Sequence, residues 1–374
     1  MIPIIQINNL NQMQGPTKEV ERHFLFVGQA TKNTGKLLSL NTQSDFDELL
    51  GATDSPLKDN LLAAMQNAGQ NWSAHAHVLG LGENWTEAVI AAQKTASYEA
   101  VVLVDPVTTA EQINAAQTLR QTLIATWGRW QFMMLALEGI NADAPDAQDW
   151  SAYETAMATL ANGIAADGVM LVPQLHGNNI GVLAGRLCNR SVTVADTPMR
   201  VKTGPLVGLG KTPLDSADNE LPLATLQTLE AARLSVPYWF PDYDGIYWAD
   251  GNMLDVEGGD YQVVENRRVV DKISRQLRIR AISRIGDRQL NSTPASIAGA
   301  KLFFMRDLRA MSKSVTIAGM TFPGEIMPPD DGDIVIEWLS KYEVAIYVKA
   351  QPYDCPKKIG INIILDLTPP GATA

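Results

Sequence analysis

The chain has 374 residues, 46% of them hydrophobic and 19% charged, which fits a globular protein of two or three domains with well-filled cores. Its formal net charge of -11 disfavours nucleic-acid binding as the main role, because phosphate recognition requires a basic surface. The sequence lacks the basic and apolar segments of a signal peptide, and it has no run of about 18 uncharged apolar residues. No membrane insertion is therefore expected.

The first half of the chain alternates short apolar segments with helical patterns. Strands are predicted over residues 2–8, 23–28, 75–81, 100–105, 130–137 and 168–173. Helices are predicted over residues 42–50, 56–69, 84–96, 109–126, 150–165 and 178–189. Continuously apolar strands that alternate with helices indicate an α/β domain whose sheet is mainly parallel and covered on both faces.

The second half changes character. Residues 200–262 are rich in Gly, Pro and Asp, which predicts loops and short hairpin strands. A long amphipathic helix follows over 263–285, and its predicted apolar stripe consists of Val270, Ile273, Leu277, Ala281 and Ile285. A second helix is predicted over 293–312. Strands are predicted over 315–320, 333–339, 342–350 and 359–367.

These elements predict a multi-domain chain of α/β and α+β character. The expected segments are an N-terminal arm (1–19), an α/β domain (20–199), a connecting region of loops and β-hairpins (200–262), a C-terminal α+β domain (263–357) and a C-terminal arm (358–374). Both arms contain an apolar segment with strand character and no hairpin partner nearby. Each segment therefore folds back onto its own domain or pairs with another chain, and the pattern alone leaves both options open.

No motif predicts catalysis, a cofactor or a metal. Residues 28–36 and 205–212 resemble phosphate-binding loops, but the first has the wrong glycine spacing and the second begins with proline. His75 and His77 share one face of a strand without an evident third ligand, so a half-exposed pair without a metal is expected. Asp242, Asp244 and Asp250 are expected to be turn residues, because their spacing does not match a calcium loop. Cys188 and Cys355 are expected to be unpaired thiols in a reducing compartment.

Four segments, in chain order, resemble the contractile tail sheath family, in a divergent branch. They are residues 23–51, 57–80, 241–277 and the C-terminal run of strands. The first segment contains the family's short acidic-aromatic helix motif at Ser44, Asp45, Phe46, Leu50 and Gly51, and the third contains its paired arginines at Arg267 and Arg268. The chain departs from the family at GIYWADGNML, where a Trp-Gly-Ala-Arg-Thr stretch is usual, so the fold of 200–260 is less constrained by the resemblance.

The resemblance implies a structural subunit without enzymatic activity or cofactor. Sheath subunits form a helical homo-oligomer of hexameric rings around an inner tail tube, and they contract to drive that tube through the host envelope. The other implied partners are the baseplate and tail terminator proteins. The implied location is the virion tail, after assembly in the host bacterial cytoplasm.

The resemblance also implies that the terminal arms exchange strands between subunits. The residues expected to do so are Ile2, Ile4, Ile5, Ile7, Ile359, Ile361, Ile363, Ile364, Leu365 and Leu367. The candidate tube-facing residues are Arg268, Lys272 and Arg275, which lie off the apolar stripe of the long helix. Since an unpaired buried charge is costly, these three side chains are expected to be exposed or paired across an interface. The alternative is that the basic residues of this helix have no binding role and form a solvated face paired with local acids such as Glu265 and Asp271.

Two other interpretations remain at this stage. One is the sheath of a headless contractile injection system, which only the neighbouring genes would distinguish from a phage tail. The other is an α/β enzyme of unknown chemistry that uses residues 20–195 as a nucleotide-binding type of fold.

Overall fold

The computed structural model describes residues 20–365, and its larger part is built on one six-stranded sheet. The strands are β1 (Phe24–Gly28), β2 (Lys36–Asn41), β3 (Ser73–Val78), β4 (Ala100–Leu103), β5 (Phe132–Leu137) and β6 (Val169–Pro173). Their order is β2-β3-β1-β4-β5-β6, and every pair is parallel except β2 with β3. All residues of β1, β4, β5 and β6 are buried, which explains their continuously apolar sequences. The predicted α/β architecture is confirmed.

Six helices of this region cover both faces of the sheet. They are α1 (Phe46–Leu50), α2 (Pro56–Ala68), α3 (Trp85–Ala92), α4 (Ala110–Trp127), α5 (Trp150–Ala161) and α6 (Asn179–Cys188). Helices α3, α4 and α5 pack on one face, and α1, α2 and α6 on the other. Helix α6 lies so close to α2 that a Cβ at Gly181 would be 2.1 Å from the carbonyl oxygen of Asn60. The contact therefore requires glycine at this position.

Two elements of this half differ from the predictions. Strand β2 occupies a stretch for which no strand or helix was predicted, and it pairs antiparallel to β3 at the edge of the sheet. Helix α7 (Leu223–Ala231) lies within the region predicted to contain only loops and hairpins. Its Leu226 and Leu229 are fully buried beside α5. The predicted hairpin is present as β7 (Pro237–Phe240) and β8 (Tyr243–Trp248), which turn at Asp242 with a φ of 62°.

The C-terminal part forms a third core. Its elements are α8 (Val264–Ile282), α9 (Pro294–Met311), β9 (Val315–Ile317), β10 (Met320–Phe322), β11 (Ile334–Ser340) and β12 (Glu343–Val348). The single strand predicted over 315–320 is wrong, because β9 and β10 form a hairpin that turns at Ala318 and Gly319, both with positive φ. The core is built around Phe304 and Leu308 of α9, against Ile334 and Ile336 of β11.

The predicted apolar stripe of the long helix is partly wrong. Ile273 is buried and Leu277 packs against the core, but Ala281 and Ile285 are exposed, because the helix ends at Ile282 beyond the edge of the core. Val264 and Val269 are buried instead. None of the helices within residues 20–365 is long and apolar enough to cross a lipid bilayer.

Candidate assembly surfaces

The segment after β12 exposes large aliphatic side chains. Residues 359–365 form no strand and no helix in this chain, so the predicted strand over 359–367 is absent from the part that is described. The exposed side chains are Ile359, Ile361, Ile363, Ile364 and Leu365, with Ile361 at 81% and Ile363 at 90% of full exposure. Burying one such side chain stabilises by about 1.5–3 kcal/mol, so an exposed run of five is unfavourable unless another molecule covers it.

The exposed segment has the pattern of a half-buried strand. Ile359, Ile361, Ile363 and Leu365 occupy every second position, so they would lie on one face if the backbone became extended and paired. These four and Ile364 are the expected strand-exchange residues that the structure describes. The others, Leu367 and the N-terminal Ile2, Ile4, Ile5 and Ile7, lie outside residues 20–365.

The hairpin of β11 and β12 offers free strand edges. Ile334 and Ile336 face the core under α9, while Val335, Leu339 and Tyr347 are exposed. Within the described residues this is a two-stranded sheet, and neither outer edge is paired with a third strand. A two-stranded sheet is marginal on its own, and free edges readily accept added strands.

The three candidate tube-facing residues are not free surface charges. Arg268 is among the most deeply buried side chains, with 2% of its side chain exposed, and it makes a two-bond contact with Glu99 at the start of β4. Its Nε donates to Oε1 at 2.7 Å and its Nη2 to Oε2 at 3.0 Å. Burial alone would raise the pKa of Glu99, but the Arg268 guanidinium outweighs it and holds that pKa below its usual range. The expectation that Arg268 is exposed or paired across an interface is wrong.

Lys272 and Arg275 are likewise paired inside the chain. Lys272 lies 2.7 Å from a carboxylate oxygen of Glu325, and Arg275 donates to Glu21 at 2.8 Å and to the backbone carbonyl of Trp130 at 2.6 Å. Both pairs are mostly shielded from solvent. Arg275 thus connects α8 to the α/β part of the subunit, whereas Lys272 pairs within the C-terminal part. Neither belongs to an open charged face.

Neighbouring arginines strengthen this connection. Asp271 is almost fully buried and accepts from Arg267 at 2.6 Å and from Arg120 of α4 at 3.2 Å. Arg267 also reaches Asp167 at 3.1 Å. Arg267 and Arg268 therefore belong to a buried set of ion pairs and not to a solvated or tube-facing stripe. Its acids include the local Asp271 and the distant Glu99 and Asp167.

An exposed basic face lies on the next helix. Arg306, Arg309 and Lys313 are exposed, and none of them forms an ion pair with another residue in the described part of the chain. The exposed Leu302 precedes Arg306 by four residues, Arg309 follows Arg306 by three, and Lys313 follows Arg309 by four. This spacing places the four side chains on one side of α9 and of the turn that follows it. This face was not among the predicted site residues, although the spacing of its residues within the predicted helix 293–312 indicates it.

The structure places the suspected ligand sites in ordinary structural roles. The loop over 29–35 leads from β1 into β2 and not into a helix, so it lacks the helix N-terminus that a phosphate loop requires. His75 Nδ1 lies 2.7 Å from the Tyr98 hydroxyl, and His77, which is buried and not half-exposed, lies 2.8 Å from Glu83. No group of three His, Cys, Asp or Glu side chains suited to a metal occurs within residues 20–365.

Asp242 and Asp244 lie in and beside the exposed turn of the β7–β8 hairpin, as expected of turn residues. Asp250 differs, because it is buried and pairs with Lys357. The two cysteines are unpaired, Cys188 buried and Cys355 exposed.

Comparison with known proteins places the chain among sheath proteins. Two family models match it, "DUF2586, N-terminal domain" over residues 2–252 and "DUF2586, C-terminal domain" over residues 260–368. A protein of Haemophilus phage HP1 (strain HP1c1), named as a candidate tail sheath protein, is 54% identical over 375 residues, which cover 98% of this chain and 99% of that protein.

Solved structures share the fold. A chain of the sheath complex of PVC, an extracellular contractile injection system, in its contracted state is similar with a TM-score of 0.64 at 13% identity, over 98% of both chains. A sheath tail protein from Desulfitobacterium hafniense has a TM-score of 0.57 at 11% identity, over 93% of this chain and 96% of that one.

The described chain thus combines an α/β part, a separate C-terminal core and an exposed apolar segment at residues 359–365. The chain belongs to the DUF2586 family and to the contractile tail sheath proteins, as the sequence resemblance predicted.

Proposed function

We propose that copies of this chain polymerise as hexameric rings into a helical sheath around an inner tail tube, and that contraction of the sheath drives the tube through the host envelope. The observation that carries this proposal is the exposed aliphatic segment 359–365 on an otherwise well-packed sheath fold. The subunit acts without catalysis and without a cofactor, so the free energy of contraction comes from repacking of subunits that have two arrangements.

Strand exchange holds neighbouring subunits together in this proposal. The C-terminal arm of one subunit adds to a free edge of the β11–β12 hairpin of a neighbour, and the N-terminal segment around Ile2–Ile7 adds as the complementary arm. Main-chain hydrogen bonds give such a contact its strength, and the alternating isoleucines fix its register. A mesh of exchanged strands lets subunits rotate without separating.

Electron microscopy of the purified protein tests the proposal against the remaining alternative class. A sheath subunit is expected to form tubes or rings in negative stain, as the parent protein alone or when mixed with its tube protein. Discrete small oligomers under both conditions would instead favour an α/β enzyme and would contradict the proposal.

The exposed face of α9 is the surface that we now assign to the inner tube, in place of Arg268, Lys272 and Arg275. Twelve Lys and Arg residues but only four Asp and Glu lie within 263–313 of an otherwise acidic chain. Arg306, Arg309 and Lys313 are the members of this set that combine exposure with alignment on one helix face. Exposed ion pairs contribute about 0–1 kcal/mol each, so contacts of this kind hold a tube when summed over many subunits and break individually during contraction.

Reversing charge on this face should separate sheath assembly from tube binding. In the variant Arg306→Glu/Arg309→Glu we expect a folded subunit that still forms empty sheath but no longer decorates tubes at low salt. The measurement is co-sedimentation with the tube protein, followed by microscopy, at low and at high ionic strength. The parent should lose decoration as salt rises, because screening weakens exposed charge pairs.

The matched control is Lys32→Glu/Lys94→Glu, which makes the same change of charge at two exposed lysines of the α/β domain. This control should decorate tubes as the parent does. Equal decoration by the Arg306→Glu/Arg309→Glu variant at low salt would show that α9 does not face the tube.

The baseplate and tail terminator proteins are the partners proposed for the two ends of the sheath. The proposed location is the virion tail, with subunits made in the bacterial cytoplasm and released at lysis. The same subunit would also serve a headless contractile injection system, and the genes beside this one decide between the two particles.

A further inference from the structure

Residues 352–357, which form the base of the C-terminal arm, are held to the rest of the subunit by one lysine, Lys357. The Lys357 ammonium donates to both carboxylate oxygens of Asp250, at 2.9 and 2.6 Å, and it lies 2.7 Å from Glu265 Oε1. Both acids are buried, with 6% and 7% of their surface exposed. Of residues 352–365, Lys357 is the only one that forms a hydrogen bond or ion pair with the described part of the chain.

The two acids belong to different parts of the subunit. Asp250 follows β8 and lies within the segment matched by the N-terminal family model, whereas Glu265 is in the first turn of α8, within the segment matched by the C-terminal one. Lys357 thus joins the arm to both parts at their junction.

Lys357 supplies the positive charge that stabilises the two buried carboxylates, Asp250 and Glu265. Two carboxylates close together in a buried place repel each other, and Glu265 Oε2 has no hydrogen-bond partner among the described residues. The pKa of Glu265 is raised by its burial and by the charge of Asp250, against the opposing effect of Lys357. Removal of the ammonium would therefore leave two buried acids without a counter-charge, which opposes any drift of the arm away from this point.

The rest of the arm base is loosely packed. A cavity of about 410 Å³ lies between the arm and the body, lined by Pro352, Tyr353 and Cys355 on the arm side and by Asn266 and Val269 of α8 on the other. The last backbone hydrogen bond before the arm is the one that the Gln351 carbonyl accepts from Met327 at 2.7 Å. Among residues 352–365, the polar contacts to the rest of the described chain are thus confined to Lys357.

We infer that Lys357 is a latch that sets the position and direction from which the C-terminal arm leaves the subunit, so that the exchanged strand reaches its neighbour in one register. This inference rests on the proposed strand exchange, and it makes Lys357 a positioning residue for assembly.

The test uses a variant that removes the latch without leaving unpaired buried charge. Lys357→Met/Asp250→Asn/Glu265→Gln replaces the three charged groups with neutral ones of similar size, and we expect a folded protein. The single variant Lys357→Met is expected to be less stable, because it leaves the two acids unpaired. Lys358→Met is the matched control, since it removes an exposed lysine one position further along.

Two readouts follow the arm directly. The first is the distance distribution between spin labels at Ile361→Cys and Gln121→Cys in the unpolymerised fraction, with Cys355→Ser to avoid a third label. We expect a narrow distribution in the parent and in Lys358→Met, and a much broader one in the triple variant. The second is the sedimentable fraction of the protein, which should fall several-fold in the triple variant only.

Equal distance distributions and equal polymer in the parent and the triple variant would overturn the latch. The proposed function fails differently: the parent itself would then form no polymer, while the distance measurement on the soluble protein would still decide whether Lys357 orients the arm.

Discussion

The variant Arg268→Ala is expected to lose about 3–5 kcal/mol of unfolding free energy, a large share of the stability of an ordinary domain. Its partner Glu99, directly before β4, would lose its paired guanidinium while remaining buried, because only 1% of its surface is exposed. The backbone N–H of Arg22 would still donate to Glu99 Oε2, but the Leu187 carbonyl would lose the hydrogen bond that it accepts from Arg268 Nη2. Urea unfolding followed by circular dichroism measures the change.

Two further variants show whether the loss of unfolding free energy comes from the unpaired carboxylate of Glu99. Glu99→Leu/Arg268→Met replaces the pair with apolar side chains, and it should lose much less than Arg268→Ala because no charge is left unpaired. Arg309→Ala, at an exposed position on α9, should change stability by no more than about 0.5 kcal/mol. An Arg268→Ala protein as stable as Arg309→Ala would mean that the buried pair does not hold α8 to the sheet.

This buried pair also changes what a charge reversal of the long helix would do. If Arg268, Lys272 and Arg275 were all exposed or paired across an interface, as expected from the sequence, a subunit with all three replaced by Glu would stay folded. The structure contradicts that expectation, since Glu at position 268 would place a second carboxylate against Glu99. Loss of tube binding in such a variant would report unfolding and not the tube-facing surface.

Periodicity predicted most of the fold because the elements that carry it are long or deeply buried. Strands β4, β5 and β6 are apolar throughout, and α4 and α9 are each 18 residues long, so each was evident within its own segment. Strand β2 was missed because an edge strand is half-exposed and its sequence, KLLSLN, gives little alternation. Helix α7 was missed because nine residues among prolines and glycines give too few helical repeats.

The assembly surfaces were predictable only where they depend on local sequence. The isoleucine pattern of 359–365 is visible in the printed sequence, and its exposure follows from the lack of a partner nearby. The partners of the arginines are not visible, because Glu99 lies 169 residues before Arg268 and Glu21 lies 254 residues before Arg275. The sequence shows that a buried arginine needs an acid, but only the fold brings that acid within reach.

Deletion of residues 358–374 is expected to leave a folded, soluble subunit that forms no tubes. The deletion begins just beyond Lys357, so the latch is kept, and residues 358–365 form no hydrogen bonds with the rest of the described chain. Unfolding free energy should therefore stay within about 0.5 kcal/mol of the parent value. Assembly should fail, because covering five large aliphatic side chains contributes on the order of 10 kcal/mol per subunit before the cost of ordering the arm.

Sedimentation and negative-stain microscopy measure this prediction, and two variants make it specific. Deletion of residues 368–374 alone removes the Pro-Pro tail but keeps the apolar segment, and it should assemble as the parent does. Ile361→Asn/Ile363→Asn keeps the length of the arm but removes the middle of its apolar face, and it should fail as the long deletion does. Normal tubes from the 358–374 deletion would exclude the C-terminal arm as the link between subunits. Normal tubes from Ile361→Asn/Ile363→Asn alone would leave only the backbone of the arm as the link.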